Sequence, residues 1–121
     1  MLPLSTLDIN GKLSLKVLTL NGGPSGGATL ISDGVYISLN PTSGNQEFYV
    51  EEPSVVPGRI YILRNTNDFN SALIYTSGGK KFFPKNSITG TLPNGPLVLN
   101  SNAIRQTIFL ISDGLNWTYF E

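Results

Sequence analysis

The placement of proline and glycine constrains this chain more than any other feature. Short apolar runs alternate with clusters of Gly, Pro, Asn and Asp, and Pro53, Pro57, Pro84, Pro93 and Pro96 fall between the runs. Proline has no N–H to give a sheet ladder, so this spacing is what strands require. No window sustains the 3.6-residue apolar period of a helix. Leu13-Ser14-Leu15-Lys16-Val17 alternates strictly instead, Leu18-Thr19-Leu20 follows after a break in parity, and Asn10-Gly11 ahead of them signals a turn. Further strand candidates cover 28–32, 35–39, 47–51, 59–65, 72–76, 80–83, 97–99, 106–112 and 116–120. Three Ala against ten Ile and six Val shift propensity the same way. The expectation is an all-β fold, an antiparallel β-sandwich or small barrel-like sheet pair of about nine or ten short strands. A length of 121 residues suits one domain over 1–121.

An internal repeat suggests a division of that domain into 1–52 and 53–121. Leu30-Ile31-Ser32-Asp33-Gly34 and Leu110-Ile111-Ser112-Asp113-Gly114 are identical. Asp-Gly between apolar runs predicts a two-residue type I′ hairpin, which needs positive φ at both centre positions. In that register Ser32 opposes Val35 and Leu30 opposes Ile37. In the second copy Ser112 opposes Leu115, Leu110 opposes Trp117 and Ile108 opposes Tyr119. Leu30, Val35 and Ile37 then share one apolar face, and Ile108, Leu110, Leu115, Trp117 and Tyr119 share another. The second hairpin is apolar on its other side too, through Phe109, Ile111 and Phe120 beside Thr118, so cover is expected on both faces. Asp33, Gly34, Asp113 and Gly114 are read as structural turn residues.

Residue types narrow the chemistry. With no Cys and no His, the chain cannot form a disulfide, a thiolate nucleophile, a Cys-ligated zinc site or a Ser-His-Asp triad. Eight basic side chains balance eight acidic ones, whereas nucleic acid and anionic membrane surfaces demand a basic stripe. Lys80-Lys81 beside Phe82-Phe83 is too small a basic patch to change this, and Gly22–Gly27 lacks the Gly-Lys-Ser/Thr of a phosphate loop. Carboxylates are the remaining acid–base groups. Glu51 and Glu52 are adjacent and would point to opposite faces of a strand, while Glu47 and Glu51 share a parity. A glycosidase needs two carboxylates about 5–10 Å apart in a cleft. Asn65-Thr66-Asn67-Asp68 offers oxygen ligands without EF-hand spacing and reads as an Asn-rich loop. No catalytic residue, metal, cofactor, nucleic-acid partner or membrane partner is expected. No run approaches the length of a membrane span, and Met1–Thr6 has neither a basic n-region nor an apolar h-region, so Sec-type export is not expected.

Polarity comes mainly from uncharged groups, 12 Asn, 12 Ser and 10 Thr. Aromatic rings beside such amides and hydroxyls are what a sugar-binding surface needs, and Tyr36, Tyr61, Tyr75 and Trp117 are the candidate ligand contacts, with Tyr49 and Tyr119 as further rings. The hairpin register argues that Trp117 is a core residue rather than a platform.

Three segments carry a resemblance. Val56-Pro57-Gly58-Arg59-Ile60-Tyr61-Ile62-Leu63-Arg64-Asn65, then Ile88-Thr89-Gly90, then Phe109-Leu110-Ile111-Ser112-Asp113-Gly114-Leu115-Asn116-Trp117 resemble a β-module of bacteriophage tail fibres and tail spikes. The similarity runs from Val55 to Phe120, and the closing hairpin with its Trp is its most specific part. The first half departs from it: its Ser32-Asp33-Gly34 copy lacks the Trp, and only the opening Leu7–Leu13 is similar to fibre linkers. The resemblance implies a non-enzymatic virion protein, a tail fibre or surface-decoration module. It would be a homotrimer in contact with other virion proteins, acting structurally or in adhesion to host-surface or mucus glycans. It would be assembled in the bacterial cytoplasm and then extracellular on the particle. The alternative from another class is a monomeric carbohydrate-binding domain of a secreted bacterial protein.

Overall fold

A computed structural model describes residues 9–102 and 106–121. The reading of Met1–Thr6, and part of the linker-like Leu7–Leu13, lie outside them. Ten strands occur among the described residues: β1 (Val17–Asn21), β2 (Thr29–Ile31), β3 (Tyr36–Asn40), β4 (Gln46–Val50), β5 (Ile60–Asn65), β6 (Ala72–Tyr75), β7 (Phe82–Pro84), β8 (Leu97–Leu99), β9 (Thr107–Ser112) and β10 (Trp117–Phe120). They form a six-stranded sheet, ordered β1-β3-β5-β9-β10-β7, and a four-stranded sheet, ordered β2-β4-β6-β8. The all-β class, the sheet pair and the number of strands agree with the sequence reading. A one-turn 3-10 segment at Pro53–Val55 precedes β5.

The pairing, however, is mixed rather than antiparallel. β1, β3 and β5 are mutually parallel, as are β2, β4 and β6. The chain alternates between the sheets, so β1–β2, β3–β4 and β5–β6 are three successive coils laid side by side. Val17 pairs with Tyr36 and Tyr36 with Ile62; on the other sheet Thr29 pairs with Phe48 and Phe48 with Ile74. Both sheets therefore step by 19 and then 26 residues per coil. The longer coil carries its extra residues in the 51–59 connection. A crossover to the opposite sheet is what allows parallel neighbours, which a tight hairpin cannot join. At the far end the coils are closed by antiparallel strands, β8 against β6 and the β9–β10 hairpin against β5, with β7 parallel to β10 at the edge.

A polar ladder runs along one corner of the coils. Asn40 Nδ2 donates to Asn21 Oδ1 at 3.2 Å, and Asn67 Nδ2 donates to Asn40 Oδ1 at 3.4 Å. Asn21 and Asn40 are register partners, so in-register stacking places one amide over the other, and Asn67, from the loop after β5, extends the row.

Between the sheets lies the core: Ile31, Ile37, Leu39, Phe48, Val50, Tyr61, Leu63, Ala72, Ile74, Phe82, Leu97, Leu99, Ile108, Leu110, Trp117 and Tyr119 are all buried. Alternation within each strand explains the set, since side chains of one parity meet the facing sheet.

The repeated pentapeptide has two different fates. In the second copy β9 and β10 do form a hairpin, but through the four residues Asp113–Asn116: Ser112 pairs with Trp117 and Leu110 with Tyr119. The two-residue I′ turn is not formed because only Gly114 has positive φ, at 91°, while the Asp113 carboxylate accepts the Leu115 and Asn116 N–H groups at 2.8 and 2.7 Å. The register moves by two, so the faces survive: Ile108, Leu110, Trp117 and Tyr119 point inward. Leu115 is corrected from core to an exposed loop position. The first copy is no hairpin. Asp33-Gly34 turns the corner from β2 in one sheet to β3 in the other, which puts Ile31 and Ile37 inside and leaves Leu30 half exposed. Gly34 again has positive φ, and Asp33 accepts its N–H at 2.8 Å and pairs with Lys16. Leu13–Lys16, expected as strand, lies outside the sheet ladder, although the Lys16 carbonyl accepts the Val35 and Tyr36 N–H groups at 2.8 and 3.1 Å, and β1 begins at Val17.

Candidate functional site

Two of the four candidate rings are unavailable to a ligand. Trp117 and Tyr61 are fully buried, 6.0 Å apart between ring centroids. The Trp117 indole N–H donates to the Glu51 carbonyl at 3.1 Å and to Thr76 Oγ1 at 3.4 Å, while Thr76 Oγ1 donates to the same carbonyl at 2.9 Å. The Tyr61 hydroxyl donates to Glu51 Oε1, and the Arg59 guanidinium sits 5.9 Å from the Tyr61 ring centre. Burial first, and the Glu51 carboxylate second, push the Tyr61 hydroxyl well above the ordinary tyrosine range. Glu51 is thus a bracket joining the 51–59 connection to both sheets. Glu52 accepts from Ser54 at the start of the 3-10 turn and pairs with Lys80 at 3.9 Å; the Ser54 hydroxyl is the main reason its carboxyl lies below the usual range. Asn65–Asp68 is a loop built on its own amides: Asn65 Oδ1 accepts the Asn67 N–H, and Asn67 Oδ1 accepts those of Phe69 and Asn70.

The other two rings stand on opposite outer faces. Tyr36 lies on the outside of the six-stranded sheet beside Ile62, its register partner. That face continues through Ile60, Ile62, Phe109, Ile111 and Phe120, with Phe109 and Phe120 both 38% exposed and in edge-to-face contact at 5.8 Å. Leu13 and Leu15, with Val35, Pro57, Ile60, Ile62 and Phe109, line an open groove of about 530 Å³ on it. A β-sheet core needs one apolar face, and this sheet has two.

Tyr75 lies on the outside of the four-stranded sheet. Its register partner is Tyr49, whose own partner on the next strand is Leu30. Glu47, two residues before Tyr49, is tied to the glycine-rich loop: Gly23 and Glu47 exchange backbone hydrogen bonds at 3.1 and 2.7 Å, and Glu47 Oε1 accepts the Gly26 N–H at 3.3 Å. Gly23 has to be glycine, since a Cβ there would sit 1.8 Å from the Gly27 carbonyl oxygen. Tyr49 Oη is 3.3 Å from Ser77 Oγ. Partial burial, then the facing Glu47 carboxylate, raise the Tyr75 hydroxyl above its ordinary range. Sequence reading named Tyr75 as a candidate contact and Tyr49 as a further ring but did not bring them together with Leu30, because their proximity follows from the 19- and 26-residue coil steps rather than from local spacing.

No protein-family model, curated protein or solved structure matches the chain.

Proposed function

We propose that this protein is a non-enzymatic virion module of the tail-fibre or surface-decoration kind, assembling as a homotrimer and acting structurally and in adhesion. The observation that carries the reading is the six-stranded sheet with two apolar faces. Its inner face meets the four-stranded sheet, while Tyr36, Ile60, Ile62, Phe109 and Phe120 on its outer face are left partly exposed among the described residues, with Leu13 and Leu15 lining the groove beside Ile60, Ile62 and Phe109 and Lys85 beside the Phe120 ring. An apolar surface of this kind on a chain of zero net charge favours association, and copies of one chain can bury it by closing a ring. The resemblance of residues 55–120 to fibre modules implies three copies. Parallel coils bound by an asparagine ladder also suit a load-bearing, fibrous part, because every rung supports the next.

Ile62→Lys and Phe109→Lys test the seam. Both side chains leave the core intact, so each variant should keep the far-UV signature of a β protein and sediment as a monomer. Variants that remain fully assembled would place the seam elsewhere and remove the main support for this reading.

A further inference from the structure

We infer that the outer face of the four-stranded sheet is a binding site for a neutral oligosaccharide, with Tyr49, Tyr75 and Leu30 as the stacking row and Glu47 as the hydroxyl acceptor. The inference rests on the adhesive reading above and gives it a place and a ligand class. If the six-stranded sheet turns toward its copies, the four-stranded sheet faces outward.

Three features of this face select the ligand. The first is spacing. Leu30, Tyr49 and Tyr75 occupy one register row on three neighbouring strands, so the row spans two strand spacings, about 10 Å, enough for roughly two pyranose rings. The second is preorganisation. Tyr49 Oη lies 3.3 Å from Ser77 Oγ, which anchors its phenol edge, and Tyr75 stands beside it as its register partner on a regular strand, while both rings stay partly exposed and Leu30 is 50% exposed. Rings already fixed in place lose little freedom when a ligand stacks on them. The third is polarity. The Glu47 carboxylate accepts the Gly26 N–H, so a further partner must donate to it, as a sugar hydroxyl does, and an acidic sugar would be repelled. Lys80, whose N–H donates to the carbonyl of Ser77 beside Tyr49, is paired with Glu52 at 3.9 Å. A flat row of rings with one carboxylate, flanked by the 22–27 loop, therefore suits the apolar C–H faces and hydroxyl edges of an uncharged sugar chain.

The test uses the full chain with maltohexaose, cellohexaose and chitohexaose as neutral probes and a hexagalacturonate as the acidic one. Two-dimensional NMR of the wild type should show saturable shifts with at least one neutral probe, centred on β4, β6 and the 22–27 loop, and none with the acidic probe. Tyr49→Ala and Tyr75→Ala should each weaken that binding about tenfold or more, the scale of losing a stacking anchor, whereas Tyr49→Phe keeps its ring and should stay within about threefold. The wild-type shift map stands even if an alanine variant fails to fold. No saturable shift with any neutral probe, shifts centred on the six-stranded sheet, or preference for the acidic probe would each overturn the inference. A trimer that binds no neutral glycan removes this site and leaves the assembly reading in place; a monomer that binds through Tyr49 and Tyr75 does the reverse.

Discussion

Trp117→Ala removes the largest fully buried side chain of the core. Its ring lies against Tyr61 between the sheets, and its N–H reaches the Glu51 carbonyl. Truncating a buried Trp costs about 3–5 kcal/mol, combining lost transfer energy with the cavity left behind. The lost hydrogen bond adds little, because Thr76 Oγ1 still donates to that carbonyl and no acceptor is orphaned. For a chain of this length that loss lowers the thermal midpoint by roughly 12–20 °C. Trp117→Phe keeps a six-membered ring but loses the N–H and three ring atoms of the indole, so it should cost about 1–2.5 kcal/mol of packing and hydrogen bonding, less than Trp117→Ala. Scanning calorimetry, with urea unfolding as a second measure, reads both. A Trp117→Ala protein melting at the wild-type temperature would refute the argument, as would a Phe variant as damaged as the Ala one. The first outcome would make the ring a surface group; the second would make the N–H, not the packing, the main contribution.

Other changes probe separate parts of the fold. Gly34→Ala should destabilise more than Gly114→Ala: both need positive φ, costing about 1–2 kcal/mol for an L-residue, but a Cβ at Gly34 also meets Ile37 and Leu18 at 3.1 Å, whereas the nearest atom at Gly114 is 3.7 Å away. Equal midpoints for the two variants would contradict this. Asn40→Leu breaks both rungs of the asparagine ladder and should cost about 1–2 kcal/mol in urea unfolding; a neutral effect would mean that the ladder does not bind the coils together. Because the folded-state pKa of Tyr61 is raised, its contribution is full below the ordinary value of 10.0 and is lost as pH rises above it. Stability should fall more steeply above pH 10.0 in the wild type than in Tyr61→Phe, and matching slopes would count against it.

Much of the fold was legible from residue patterning. Nearly every strand lies where an apolar run between Gly and Pro clusters placed it, because in short strands parity and turn residues act locally. The faces of β9 and β10 were legible even though the hairpin loop was two residues longer than expected, since a shift of two preserves side-chain direction. The parallel coils were not. Their signature is weak: Leu20-Asn21 and Leu39-Asn40 recur 19 residues apart, and the next coil carries Asn65 one step earlier in register. The conspicuous repeat, Leu-Ile-Ser-Asp-Gly, pointed elsewhere, because five identical residues set the turn but not the sheet to which the next strand belongs. Leu30 shows the cost of that ambiguity. It was assigned to a hairpin core and stands on the outer face. The candidate site was half legible for the same reason. Tyr75 could be picked as a ring on a strand, but its partners Tyr49 and Leu30 lie 26 and 45 residues before it and meet it only through the coil register.

Sedimentation equilibrium on the wild-type chain at micromolar concentration bears most directly on the central claim, that the outer face of the six-stranded sheet is an assembly surface. The account predicts a single species of about three times the 13.1 kDa chain mass. A species of 13.1 kDa would contradict it and favour a monomeric carbohydrate-binding domain.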